Sequence, residues 1–197
     1  MNGRTPAQRY VDPLDAVWLA AASRMGLLVV RSDDAFAATD GHGVITIGTD
    51  DTLDADDCLA QMVLHEVCHW IVQGPDAVRT ADWGLCNQDS RDLVREHACL
   101  RLQASLAGAY GLRRVLAPTT EHRSFHDALP ADPLLGDDPS ARQAREARER
   151  AGRAPWAPHL QAALAATRVM AELAGAADRP GDLWVLLDPL PPGPVES

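Results

Sequence analysis

Apolar residues recur along the chain at helical spacing in some stretches and in short unbroken runs in others. Over 54–73, Leu59, Met62, Val63, Glu66 and Trp70 keep the i, i+3, i+4 rhythm of one helix face, with Cys58, Met62, His65 and His69 alongside. Thr52, Asp54, Asp56 and Asp57 offer caps and negative charge at the start of this stretch, and Gly74-Pro75 stops it, so a helix is predicted over 54–73. A shorter helix is predicted over 14–25, ended by Gly26. The apolar runs 27–31 and 44–47, separated by the Asp40-Gly41-His42-Gly43 turn, read as strands. A further helix is predicted over 90–109, capped by Asp89 or Ser90, with Leu93, Glu96 and His97, Leu100, Ala104 and Ala107 on its inner stripe.

Past Pro118 the rhythm lapses. Pro130, Pro133, Gly136 and Pro139 punctuate an acidic stretch that reads as an exposed loop carrying His122 and His126. Residues 140–153 alternate arginine, glutamate and alanine, the pattern of a solvated helix face. Leu160, Leu164, Met170 and Leu173 mark an amphipathic helix over 158–174. An edge strand at 183–187 then leads into a proline-rich end. The elements sum to an α+β fold in which a small N-terminal sheet is followed by the 54–73 helix and further helices. One catalytic domain over 1–178 is expected, with the helices of 140–178 packed on it and 179–197 as a tail.

Composition narrows the partners. The net charge is -10 and the 18 basic residues are all arginine, so attraction to nucleic acid or an anionic membrane is not expected, while a basic protein or peptide partner suits the acidic surface. No apolar run is long enough to span a bilayer and Met1 to Tyr10 has no hydrophobic signal core, so a cytoplasmic protein is expected. The four cysteines, Cys58, Cys68, Cys86 and Cys99, form no CxxC pair and read as buried thiols rather than metal ligands.

The chemistry centres on His65-Glu66-Val67-Cys68-His69. Two histidines four apart share one helix face and can hold a metal ion, while Glu66, beside them, can serve as acid and base. Glu96 is the best candidate for a third ligand, because a carboxylate on an apolar stripe is costly unless paired or bound to a cation. His97 is the runner-up, and His122 is a further alternative ligand or a substrate contact. Asp82, in Asp82-Trp83-Gly84, is placed to accept a hydrogen bond from a ligand imidazole, or else to cap a turn. Two histidines and a carboxylate suit zinc, which activates water for peptide hydrolysis, and equally iron(II), which activates dioxygen for hydroxylation.

Strands followed by an HExxH helix resemble the layout of zincin-like metallopeptidase domains. A closer resemblance runs over 65–104: His65-Glu66-Val67-Cys68-His69-Trp70, Gly74, Asp82-Trp83-Gly84, Glu96 and Gln103-Ala104 are similar to the pattern of the elongation factor P hydroxylase family. The resemblance implies an iron-dependent, oxygen-using hydroxylase acting on a modified lysine of a translation factor, with His65, His69 and Glu96 as ligands. The segment 85–95 is shorter than the family's and lacks its tyrosines, so the resemblance bears on the metal site more than on the substrate. A zinc-dependent metallopeptidase is the alternative reading, and an inactive metal-binding interaction module the third.

Overall fold

A computed structural model describes residues 10–86, 90–118 and 120–175; the strand expected at 183–187 and the tail at 179–197 lie outside them. The described chain is mixed α+β, with six helices and a three-stranded sheet. Asp12 caps α1 (Pro13–Arg24) by accepting from Leu14 N at 2.8 Å, and Pro13 supplies the preset first-turn φ. Strands β1 (Leu28–Ser32), β2 (Ala37–Thr39) and β3 (Val44–Gly48) lie in the order β1-β3-β2, with β1 parallel and β2 antiparallel to β3. The sequence did not announce β2: Ala37-Ala38-Thr39 carries no alternation, and its pairing opposite Thr46 is set by the tight turn at 40–43. Ile45 and Ile47 project from β3 into the core and are fully buried.

The motif helix α2 (Leu59–Gln73) starts later than its acidic prelude suggests. Asp54 N donates to Asp57 Oδ2 and Asp57 N to Asp54 O, so these residues close a turn of their own, and Cys58 Sγ becomes the cap, accepting from Gln61 N at 3.4 Å. Thirteen of the fifteen α2 residues are buried, which makes it the central helix rather than a one-sided amphipathic one.

Asp57 meets a cost there. Its Oδ1 is buried without a partner, and burial, with Asp56 and Asp54 nearby, pushes its carboxyl up to about 6 from 3.8. The folded state therefore holds this proton more tightly than the unfolded chain, and stability falls as pH rises through that interval. Asp57→Asn is expected to stabilise the protein by about 1 kcal/mol at about pH 8, a figure discounted because the group is only half buried, and to give no gain at about pH 4. Urea unfolding at the two pH values checks this, and an equal gain at both would refute it.

Helix α3 (Leu93–Gly108) crosses α2, and α5 (Pro139–Arg150) packs along α3 in the most extensive helix pairing of the fold. The expected solvated helix is thus a core layer. Ala141, Ala144 and Ala147 form a ridge of small buried side chains that admits α3 closely, while the arginines reach around it. Arg150 donates to the carbonyls of Ile71 and Val72, the last turn of α2, and Arg145 to those of Leu134 and Gly136. The start of the stretch after Pro118, expected as a loop, is a helix, α4 (Thr120–Ala128), whereas the proline-punctuated part over 129–138 is irregular as expected.

Helix α6 (His159–Gly175) buries Leu160 and Leu164 as expected, whereas Leu173 is exposed. Trp18 Nε1 donates to Thr167 Oγ1 at 3.0 Å and ties α1 to α6. The stripe assigned to α3 needs the same correction at one end, since Leu93 stands in solvent while Leu100, Ala104 and Ala107 are buried. Among the described residues no helix is long and apolar enough to cross a membrane.

Candidate metal centre

Helix α2 presents His65 and His69 one turn apart, and α3 crosses it so that Glu96 faces both. His65 Nε2 and His69 Nε2 lie 3.0 Å apart; Glu96 Oε1 is 3.6 Å from the first and Glu96 Oε2 is 3.3 Å from the second. Donors that share one ion through bonds of about 2.0–2.2 Å stand roughly 3.0–3.5 Å from each other, so these three side chains have the spacing of a ligand set. Burial holds the His69 ring to a pKa of about 3, so it is neutral at neutral pH and one ring nitrogen keeps a free lone pair. Burial alone would raise Glu96, but the imidazoles of His69, His65 and His122 around it outweigh that and hold its carboxyl low.

The orientation of His65 is fixed from behind. Gln103 Nε2 donates to Leu116 O at 2.9 Å, which turns the amide oxygen towards His65, where Oε1 lies 2.9 Å from Nδ1. Nδ1 must then carry the proton, leaving the Nε2 lone pair aimed at the centre. Gln103 is fully buried, and in the sequence it stands out only by its place in the family pattern. A buried glutamine on the same face of α3 as Glu96, seven residues on, was the available signal.

Glu66 is buried beside the centre, and Trp83 Nε1 donates to its Oε2 at 2.7 Å. Burial pushes its carboxyl above the ordinary range, against the pull of His65 and the Trp83 hydrogen bond. Trp83 is itself held by Trp70, whose ring stacks on it at 6.0 Å; Trp70 also meets Trp156 edge-on at 5.3 Å and donates to Pro75 O at 3.1 Å. The tryptophan that follows the HExxH therefore positions the glutamate within it, through a second tryptophan. Gly74, at φ 99°, ends α2 in a conformation that favours glycine and lets the chain turn back towards Trp70.

Asp82 does not reach a ligand imidazole. Its Oδ1 accepts from Thr39 N at 3.0 Å, and the Asp40–Ala81 bridge continues the contact, so the outer edge of β2 is occupied at this end. Gly41 makes that approach possible, because a Cβ there would sit 2.8 Å from Ala81 N. Asp82 and Trp83 hold consecutive positive φ angles, 48° and 55°, a left-handed pair without glycine.

His97 is not at the centre either: its ring stacks on Phe125 of α4, with centroids 3.8 Å apart. His122, by contrast, faces the site, with Nε2 3.8 Å from Glu96 Oε1. His126, one turn further along α4, is buried elsewhere with Nδ1 on Asp127. Cys99 lies close enough to count geometrically with His65, His69 and Glu96. It sits 3.8 Å from His65 Nδ1, behind the ring, and burial next to Cys68 pushes its thiol far above the ordinary range, so it packs against the ligand set rather than joining it.

No family model, curated protein or solved structure matches the chain.

Proposed function

We propose that the chain is a metal-dependent enzyme of zincin-like architecture, holding one divalent ion on His65, His69 and Glu96, and that it hydroxylates a protein side chain as the elongation factor P hydroxylases do. The observation that carries the metal reading is the convergence of the two imidazoles and the carboxylate within 3.0–3.6 Å of one another where α3 crosses α2. When bound, an iron(II) ion on such a set supplies dioxygen activation, and a zinc ion supplies polarisation of a carbonyl.

The residues around the centre divide the work. Gln103 sets the His65 tautomer, and burial raises the proton affinity of Glu66 while the Trp83 N–H on its Oε2 opposes that rise and fixes the carboxyl in place. The residues that carry the family resemblance, Trp70, Gly74, Asp82-Trp83-Gly84, Glu96 and Gln103, belong to one connected network around Glu66 and the ligand set. Peptidases that bind substrate as an added strand need a free sheet edge beside the helix. Here Asp82 and Ala81 occupy one end of β2, while β1 is the sheet's other edge among the described residues, so the sheet favours neither reading. The hydrolytic reading keeps one observation in its favour, the raised proton affinity of Glu66 at the position of a general base.

Anaerobic purification followed by elemental analysis separates the two. Hydroxylation expects bound iron and substrate-dependent oxygen uptake; stoichiometric zinc, no oxygen uptake and cleavage of a peptide would replace it with hydrolysis. In either case Glu66→Gln is expected to lower turnover by roughly 10²–10⁴-fold while metal content stays unchanged. A variant with full turnover would leave an interaction module as the better description.

A further inference from the structure

Three imidazoles surround Glu96, not two. We propose that His122 is a fourth protein donor to the same ion, so that the centre is built from three histidines and one carboxylate; this rests on the metal reading above.

Glu96 Oε1 lies 3.6 Å from His65 Nε2 and 3.8 Å from His122 Nε2, so the same oxygen faces both rings at nearly the same distance. That oxygen is buried and accepts no hydrogen bond. The His122 ring lies nearly parallel to that of His65, with centroids 6.3 Å apart and planes 19° apart. Nε2, an atom a ligand histidine can use, is the one that faces Glu96 Oε1. Its separation from Glu96 is only slightly wider than the roughly 3.5 Å expected of two donors on one ion.

The helix that carries His122 is fastened on several sides. Arg113 donates to the carbonyls of His126, Leu129 and Pro130 at 3.1, 2.8 and 2.8 Å, tying the end of α4 down. Phe125 stacks on His97 of α3, and the Arg101 guanidinium lies 5.9 Å from the same ring. His97 thus serves the centre at one remove, docking α4 against α3 one residue away from Glu96. Arg123 meets Asp56, ahead of α2, at 4.0 Å. These contacts hold α4 against α3 and against the segment that precedes α2, and so fix His122 beside Glu96.

The count of donors has a chemical consequence. Four protein donors would fill a four-coordinate zinc ion and leave no position for a reactant, whereas a six-coordinate ion would keep two. A catalytic centre of this composition therefore favours an ion with octahedral preference, which deepens the oxidative reading over the hydrolytic one.

Cobalt(II) is a suitable probe, since its visible absorption reports coordination number without any turnover. His122→Ala is expected to weaken cobalt binding by more than the roughly 100-fold that loss of a mere supporting hydrogen bond costs, and to change the visible spectrum. Free imidazole should restore the spectrum. His42→Ala, on the exposed 40–43 turn, should match the wild type in both. His122→Gln keeps a donor for Glu96 but no imidazole. If it binds cobalt with wild-type affinity and spectrum, His122 only positions Glu96 and the proposal fails; an unchanged spectrum in His122→Ala overturns it equally. In both cases the metal reading survives if His65→Ala abolishes binding. A wild-type protein that takes up no cobalt or iron would sink both. Circular dichroism melting of each variant checks that the fold is intact.

Discussion

Glu96→Ala should leave the protein without a usable metal site, lowering affinity for a divalent ion by more than the roughly 10–100-fold that removal of a supporting hydrogen-bond partner produces. Glu96 is the only carboxylate within ligand distance of both His65 Nε2 and His69 Nε2 among the described residues, and it comes from the opposing helix. Its loss removes the sole negative charge in the set and leaves only imidazoles to hold the ion. Elemental analysis and isothermal titration with iron(II) or cobalt(II) read the effect. Retention of full metal content would move the third ligand elsewhere and undo the assignment of the centre.

Gln103→Leu is expected to act from behind the site, on both affinity and stability. The substitution conserves volume but leaves the His65 Nδ1 proton and the Leu116 carbonyl without their partner. An unsatisfied buried group costs about 1–3 kcal/mol, and His65 is then free to adopt the tautomer that turns a proton towards the ion. Metal affinity should fall roughly 10–100-fold, with a stability loss of about 1–3 kcal/mol in the metal-free protein. Urea unfolding of the apoprotein and a cobalt titration measure the two parts separately. If stability dropped while affinity held, Gln103 would be a core residue and nothing more.

The candidate ligand set was legible in the sequence because its parts are local or are anomalies. His65 and His69 are four apart on one helix, and Glu96 is a carboxylate where the pattern calls for an apolar residue. What supports the set could not be read in the same way. The Trp83–Glu66 and Gln103–His65 hydrogen bonds join residues 17 and 38 positions apart, and only the crossing of α2 and α3 and the reversal at Gly74 bring them together. The reading of α5 as solvated failed because its buried face is alanine, whose weak hydropathy is swamped by the arginines and glutamates between. Helix α4 was missed for a related reason. Its residues carry few apolar side chains, and its place is set by Arg113, the His97–Phe125 stack and His126, none of which produces a hydrophobic rhythm.

The consecutive left-handed residues Asp82 and Trp83 carry a thermodynamic meaning of their own. Each non-glycine residue in that region costs on the order of 1–3 kcal/mol, which a chain under selection for stability alone would shed by substituting glycine. Glycine at either position would forfeit the Thr39 contact or the hydrogen bond to Glu66. If the proposed function holds, the 82–83 corner is where stability is traded for activity, and a screen for more thermostable variants should recover substitutions there that melt later and turn over more slowly.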